Sequence, residues 1–218
     1  MDFAKARFNM VEQQIRPWDV LDFDVLDALS ETPREAFVDE AQRPYAYADA
    51  ALPLPNGSVM LEPRIVARLI QGLGLKKTHK VLEIGTGSGY ATALLASLAD
   101  SVVSLDIDST QQARAEAAVR SVGHENVAYQ VGDGLTLQNG GAPFDAIYVG
   151  GAVVAVPEVL KTQLKEGGRL VVVVGSAPVQ RALLITRKGD TFTETTLFDT
   201  FIPYLSTDAA PASTAFRF

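Results

Sequence analysis

The sequence predicts an α/β fold: a doubly wound, mostly parallel sheet with helices on both faces, a C-terminal antiparallel hairpin and an N-terminal helical extension. Three observations carry this expectation. From residue 63 onward, short β-branched runs alternate with segments of helical periodicity, which is the rhythm of a parallel sheet. A glycine-rich turn, GTGSG at 85–89, joins the first such run to the helix that follows it. Near the end, two long strand-like segments flank Gly189-Asp190, a dipeptide suited to a tight hairpin.

Residues 1–60 read as a helical extension with a covering loop, 61–205 as the main domain and 206–218 as a tail, together one structural domain. Asp22 is placed to cap a short helix whose Val25, Leu26 and Leu29 share a face before Thr32-Pro33 interrupts it. Trp18, after Arg16-Pro17, is expected to pack. Residues 44–57, PYAYADAALPLPNG, combine three prolines with Tyr45 and Tyr47, which is loop chemistry carrying apolar side chains. Such a loop is either a packed cover or a lid. Pro63 suits the first turn of a helix along which Ile65, Val66, Leu69, Ile70 and Leu73 recur at helical spacing.

The alternation then runs KVLEI (80–84), a helix over 89–98, SVVSLDI (101–107), a helix over 109–122, NVAYQV (126–131), FDAIYVG (144–150), a helix over 157–164, and RLVVVVG (169–175). RALLITRK (181–188) and TFTETTLFDTFIPYL (191–205) form the expected hairpin. The tail TDAAPASTAFRF is small and polar apart from its last aromatics and is assigned no structure.

Composition narrows the function. The chain has 218 residues, 47% hydrophobic and 21% charged, with a net charge of −7 and no cysteine. A net negative charge argues against a protein that grips nucleic acid through its phosphates. No apolar run approaches the ~20 residues that span a bilayer, and the first residues lack a secretory pattern, so a cytoplasmic protein with no membrane role is expected. Without cysteine there is no thiolate nucleophile or sulfur-ligated metal, and no metal site is expected.

The turn at 85–89 carries the chemistry. Glycines allow a sharp turn and a close approach, and the free amides of a helix start point toward whatever binds there. The spacing is G-x-G-x-G with Tyr90 next, whereas a dinucleotide fingerprint requires G-x-G-x-x-G, so pyrophosphate is disfavoured. The Gly-Lys-Ser/Thr ending of a P-loop is missing too, which disfavours nucleotide hydrolysis. Asp106 closes the second strand about 20 residues past the first glycine, where a carboxylate accepts ribose hydroxyls. In VGDG (131–134), Asp133 falls at the same edge of the sheet, suited to an adenine amino group. Glu83, inside an apolar strand just before the loop, needs a donor or a ligand amine.

Together, VLEIGTGSGY (81–90), Asp106, VGDG and APFDAIYV (142–149) resemble a class I S-adenosylmethionine-dependent methyltransferase. REAFV (34–38), YADAALPLPNG (47–57), PRIVARL (63–69), VPEVLKTQLKEGGRLVVVVG (156–175) and FIPYL (201–205) narrow the resemblance to the protein-L-isoaspartate O-methyltransferases. The resemblance implies a Rossmann-like methyltransferase sheet and S-adenosyl-L-methionine as donor, with S-adenosyl-L-homocysteine as product. It also implies acceptors that are isoaspartyl residues of damaged proteins, whose abnormal carboxylate is methylated to begin repair. By it, Glu83, Gly85, Thr86, Gly87, Ser88, Gly89, Asp106, Ile107, Gly132, Asp133 and Gly134 form the cofactor pocket.

Two departures fall in the acceptor half. The family usually reads Gly-Gln-Thr-Ile-Ser-x-Pro where this chain reads GSVMLEP (57–63), so Val59 and Leu61 replace a threonine and a serine. Val-Thr-Ala-Ala becomes VGGA (149–152). Ser58 is the hydroxyl left in the first segment, read either as a substitute near the reacting centre or, preferably, as the cap of the helix starting at Pro63. Asp49, in the covering loop, is the other catalytic candidate. His79 and His124 each precede a strand, at the edge opposite a crevice at the strands' carboxyl ends. That is acceptable, because a carboxylate acceptor is already ionised and needs no general base. Three readings stay open: isoaspartyl methylation, methylation of another carboxylate or small molecule, and a cofactor-binding protein without turnover.

Overall fold

The computed structural model describes residues 1–206, so the tail beyond Ser206 lies outside the described residues. Seven strands form one sheet: β3 (Lys80–Ile84), β4 (Ser101–Asp106), β5 (Val127–Val131), β6 (Phe144–Val153), β7 (Leu164–Ser176), β8 (Val179–Lys188) and β9 (Thr191–Thr200). Their spatial order is β5-β4-β3-β6-β7-β8-β9. The first five run parallel, and β8 and β9 are antiparallel additions at one edge. Chain order reverses between β3 and β6, and such a switch point opens a crevice beyond the strands' carboxyl ends. A separate two-stranded ribbon, β1 (Leu52–Pro53) with β2 (Val59–Met60), brings residues 54–58 out as a turn.

Helix α3 (Pro63–Leu73) starts on its proline and ends on Gly74, whose φ of 53° is the left-handed cap glycine favours. Its Ile65, Val66, Leu69, Ile70 and Leu73 are all buried. With α4 (Tyr90–Leu98) and α5 (Ser109–Ser121) it covers the sheet face that carries Val81, Val102, Ala146 and Val171. The extension joins that same core. Helix α1 (Phe3–Asn9) runs on through irregular turns that bury Met10, Val11 and Ile15, and α2 (Phe23–Glu31), capped by Asp22, buries Val25, Leu26 and Leu29. The opposite face, with Leu82, Val103, Ile147 and Val172, packs against α6 (Glu158–Thr162) through Leu160.

Three expectations change. The helix read over 157–164 is shorter, because Phe144 donates its amide to the Gln163 carbonyl (2.8 Å) and Leu164 pairs with Phe144 as the first residue of β7. The last strand stops at Thr200, and FIPYL is not part of it. Pro203 has no amide to donate, and the segment instead crosses to β6, where Ala152 donates to Pro203 and Leu205 donates to Ala152, both at 2.9 Å. Finally, Ser58 does not cap α3. Glu62 occupies the cap position without a side-chain bond, and Ser58 stands four residues earlier in the ribbon turn.

Candidate active site

A crevice of about 390 Å³ opens at the carboxyl ends of β3, β4, β5 and β6. Its floor is the glycine turn. Gly85, Gly87 and Gly89 have φ of 86°, 53° and 84°, all in the left-handed region that side chains disfavour. The turn is held from both sides. Gly87 donates its amide to Asp106 Oδ2 (3.0 Å), while Gln111 Nε2 donates to the Gly87 carbonyl (2.9 Å). Asp106 Oδ1 accepts the Asp108 amide at 2.9 Å. A carboxylate has about four lone-pair sites, so Asp106 keeps acceptor capacity facing the crevice.

The wall beyond Asp106 comes from Ile107, Asp108, Gly132, Asp133, Gly134 and Leu135. Asp108 caps α5 through the Thr110 and Gln111 amides. The Gln111 amide first, and then the Asn56 side chain, hold its carboxyl below the ordinary range. Asp133 Oδ1 accepts the Leu135 amide at 2.9 Å, fixing the turn after β5. A Cβ on Gly134 would stand 2.4 Å from Ile84 Cδ1, so glycine lets this turn come down onto β3 without displacing the isoleucine side chain.

The rest of the lining comes from Val59, Leu61, Gly150, Gly151, Pro203, Tyr204 and Leu205, and from the turn of Asn56 and Ser58, which reaches Asp108 through the Asn56 side chain. The Ser58 hydroxyl donates to Asn56 Oδ1 at 2.6 Å. Behind Leu61 lies Arg34, fully buried, which donates Nε to the Ala46 carbonyl (2.8 Å) and Nη2 to the Leu61 carbonyl (2.7 Å) and stacks over the Tyr90 ring. One guanidinium thus ties the covering loop, the acceptor-side segment and α4 together.

Of the residues expected around a cofactor, Gly85, Gly87, Asp106, Ile107, Gly132, Asp133 and Gly134 line the crevice. Glu83, Thr86, Ser88 and Gly89 do not, and all four are buried. Glu83 Oε2 finds its donors within the protein, accepting from Thr92 Oγ1 (2.6 Å) and Ser104 Oγ (2.5 Å), while Oε1 is buried without a partner. Burial dominates over those bonds and pushes its pKa up to about 8. Thr86 Oγ1 lies 2.7 Å from Ser104 Oγ and accepts from Gln112 Nε2 at 3.2 Å. Ser88 Oγ accepts the Tyr90 amide (3.2 Å), and Gly89 starts α4 against Ala115. Asp49 does not line the crevice and is ion-paired with Arg64 on α3. Arg64 also stacks on Trp18, which is 44% exposed and so only partly fulfils its packing role. His79 stands at the other end of the strands, beside Asp145. Sequence reasoning missed Asn56, Asp108, Leu135 and Leu205; only Asp108, directly before a helical run, carried a readable signal.

The family model for protein-L-isoaspartate(D-aspartate) O-methyltransferase matches residues 6–208. The chain belongs to the protein-L-isoaspartate O-methyltransferase family. A member from Roseiflexus castenholzii is 41% identical over 206 residues, covering 94% of each chain. Among solved structures, a protein-L-isoaspartate O-methyltransferase superposes with a TM-score of 0.80 at 29% identity, covering 93% of this chain and 65% of that longer one. A putative protein-L-isoaspartate O-methyltransferase from Plasmodium falciparum, in complex with S-adenosyl-L-homocysteine, shares the fold with a TM-score of 0.77 at 20% identity, covering 94% and 99%. Protein-L-isoaspartate O-methyltransferases use S-adenosyl-L-methionine as donor, and the sheet, its antiparallel edge and the N-terminal helices match that family's architecture.

Proposed function

We propose that this chain methylates the abnormal carboxylate of isoaspartyl residues in damaged polypeptides, with S-adenosyl-L-methionine as donor. The observation that carries the reading is the Asp106 carboxylate facing the crevice above a glycine turn it already holds through Gly87. The crevice volume suits a ligand of nucleoside size. Asp106 would accept the ribose hydroxyls, Asp133 an adenine amino group, and the peptide groups of Gly85 and Gly87 would lie under the amino-acid portion. Gly132, Gly134 and Ile107 would shape the nucleoside end. Bound there, S-adenosyl-L-methionine supplies a sulfonium methyl that a carboxylate oxygen takes with its own electron pair, the S–C pair returning to sulfur and no proton moving.

The chain's own contribution is alignment and exclusion of water. Val59, Leu61 and Leu205 dry the acceptor end, and Arg34 fixes the main chain that carries Leu61. Ser58 is the hydroxyl that lines the crevice, and its proton, held by Asn56 Oδ1, would have to turn from Asn56 to meet an acceptor carboxylate. No general base is required, in keeping with His79 lying at the far end of the strands. The aliphatic wall favours one second reading, a different and less polar carboxylate as acceptor.

The test is labelled methyl transfer from S-adenosyl-L-methionine to an isoaspartyl peptide beside its aspartyl isomer. Labelling of the isoaspartyl form alone is expected. Equal and negligible labelling of both would remove the isoaspartyl reading and leave the second one.

A further inference from the structure

The acceptor end contains a side chain that the chain's own glycines make room for. Gly151, at the end of β6, has no side chain, and an added Cβ would stand 2.9 Å from Leu205 Cγ, 3.0 Å from Leu205 Cδ2 and 3.1 Å from the Leu205 amide nitrogen. On the other side, a Cβ on Gly85 would stand 2.7 Å from Leu205 Cδ2. Leu205 is therefore wedged between the first residue of the glycine turn and β6, directly over the switch point of the sheet. Its main chain is fixed there by the paired bonds of Ala152 with Pro203 and Leu205. At position 150 a Cβ would stand 2.8 Å from the Gly85 carbonyl oxygen, so β6 and the glycine turn touch through backbone alone. The VGGA departure thus serves two close approaches: Gly150 lets β6 meet the glycine turn, and Gly151 leaves the space that Leu205 fills.

We infer that Leu205 is a specificity-determining residue, which admits acceptors whose carboxylate is flanked by small groups and rejects those flanked by bulky ones. The inference rests on the isoaspartyl reading. Leu205, Val59 and Leu61 all border the crevice, and Leu205 meets the glycine turn at Gly85, so an acceptor brought over that turn lies against this aliphatic lining. Its residue flanks compete with the leucine side chain for the same volume. Close-packed walls of this kind discriminate by shape, because added bulk is not absorbed without displacing backbone.

The experiment compares two isoaspartyl peptides, one with glycine and one with leucine on both sides of the isoaspartyl residue. KM and kcat are measured for the wild type, Leu205→Ala and Gly151→Ala. Peptide and S-adenosyl-L-homocysteine binding are measured by calorimetry, and thermal midpoints check folding. The wild type is expected to prefer the glycine-flanked peptide by about tenfold or more in kcat/KM, the discrimination a hydrophobic pocket gives for a few methylenes. Leu205→Ala should bring the ratio toward one, mainly by lowering KM and tightening binding of the leucine-flanked peptide. Gly151→Ala, which pushes Leu205 and its amide away from β6, should also change the ratio. Wild-type turnover with the same ratio in Leu205→Ala overturns the role of Leu205 alone, as does a change confined to S-adenosyl-L-homocysteine affinity. Turnover of neither peptide by any of the three proteins overturns the isoaspartyl reading and this inference with it.

Discussion

Glu83 and Ser104 face each other on neighbouring strands, joined by a 2.5 Å hydrogen bond from the serine hydroxyl to Glu83 Oε2. They belong to a polar row crossing four strands, in which Tyr148 on β6 pairs with Glu83, and Ser104 pairs with Tyr129 on β5. The Ser104 hydroxyl has one proton and gives it to Glu83. Thr86 must then donate its own proton to Ser104 while accepting from Gln112. The glycine turn is thus wired to a buried acid by a chain of hydroxyls with one consistent direction.

Burial raises Glu83 from 4.5 to about 8, so between those values the folded protein holds a proton that the unfolded chain has released. Stability contributed by this group is complete below the unfolded value and falls as pH rises through the window. Glu83→Gln, which mimics the neutral acid, should lack this slope. Urea unfolding midpoints of both proteins across pH 5 to 9 read it out as a difference that moves in favour of glutamine at high pH. A difference constant with pH would show that Glu83 does not titrate in this window.

Asp106→Ala removes the acceptor of the Gly87 and Asp108 amides together with the proposed ribose partner. A hydrogen bond to a charged group contributes ~1.5–3 kcal/mol, so calorimetry should show S-adenosyl-L-homocysteine affinity weakened by about tenfold to a hundredfold. Unchanged affinity would contradict the ribose role.

Leu61 is 6% exposed and borders the crevice where the family carries a serine. Leu61→Ser is expected to raise kcat/KM for an isoaspartyl peptide while lowering stability by about 1.5–3 kcal/mol through lost apolar burial. Its main chain still holds Arg34, so S-adenosyl-L-homocysteine affinity should stay as it was. A variant with no gain in turnover would place the acceptor contacts elsewhere.

Arg34 offers a test of scaffolding as distinct from chemistry. Arg34→Ala leaves the Ala46 and Leu61 carbonyls without their donor, and each buried unsatisfied group costs about 1–3 kcal/mol. Arg34→Lys cannot span both carbonyls with a single ammonium on a flexible stem. Both variants should unfold at lower urea concentration, the alanine more so. Wild-type stability in either would deny Arg34 its role as a tie.

The parallel sheet was legible because a central strand must be apolar on both faces while its two ends carry turn residues. KVLEI and the glycines after it therefore stated the position of the crevice, and Asp106 and Asp133 followed from strand length. Depth within the site was not legible. Thr86 and Ser88 alternate with the glycines and read as crevice residues, yet both are buried, their hydroxyls bonded to Ser104 and to the Tyr90 amide, and they line a smaller neighbouring hollow with Gly85 and Gly87. Asp49 read as a free loop acid because its partner Arg64 is distant in sequence. FIPYL alternates like a strand, and only the sheet's third dimension shows that its proline sends it across β6. Ser58 had the chemistry of a helix cap at the wrong distance from Pro63.

Gly87 is held on both sides, its amide by Asp106 and its carbonyl by Gln111. A loop in this state has already lost its freedom, so a ligand arriving over it has no ordering to wait for. Encounter should be governed by diffusion into the crevice, with a single-phase association whose rate rises linearly with ligand concentration. Cutting the carbonyl tie with Gln111→Ala would slow capture and shorten residence without touching a ligand-facing atom, moving control of the binding rate from the solvent to the protein.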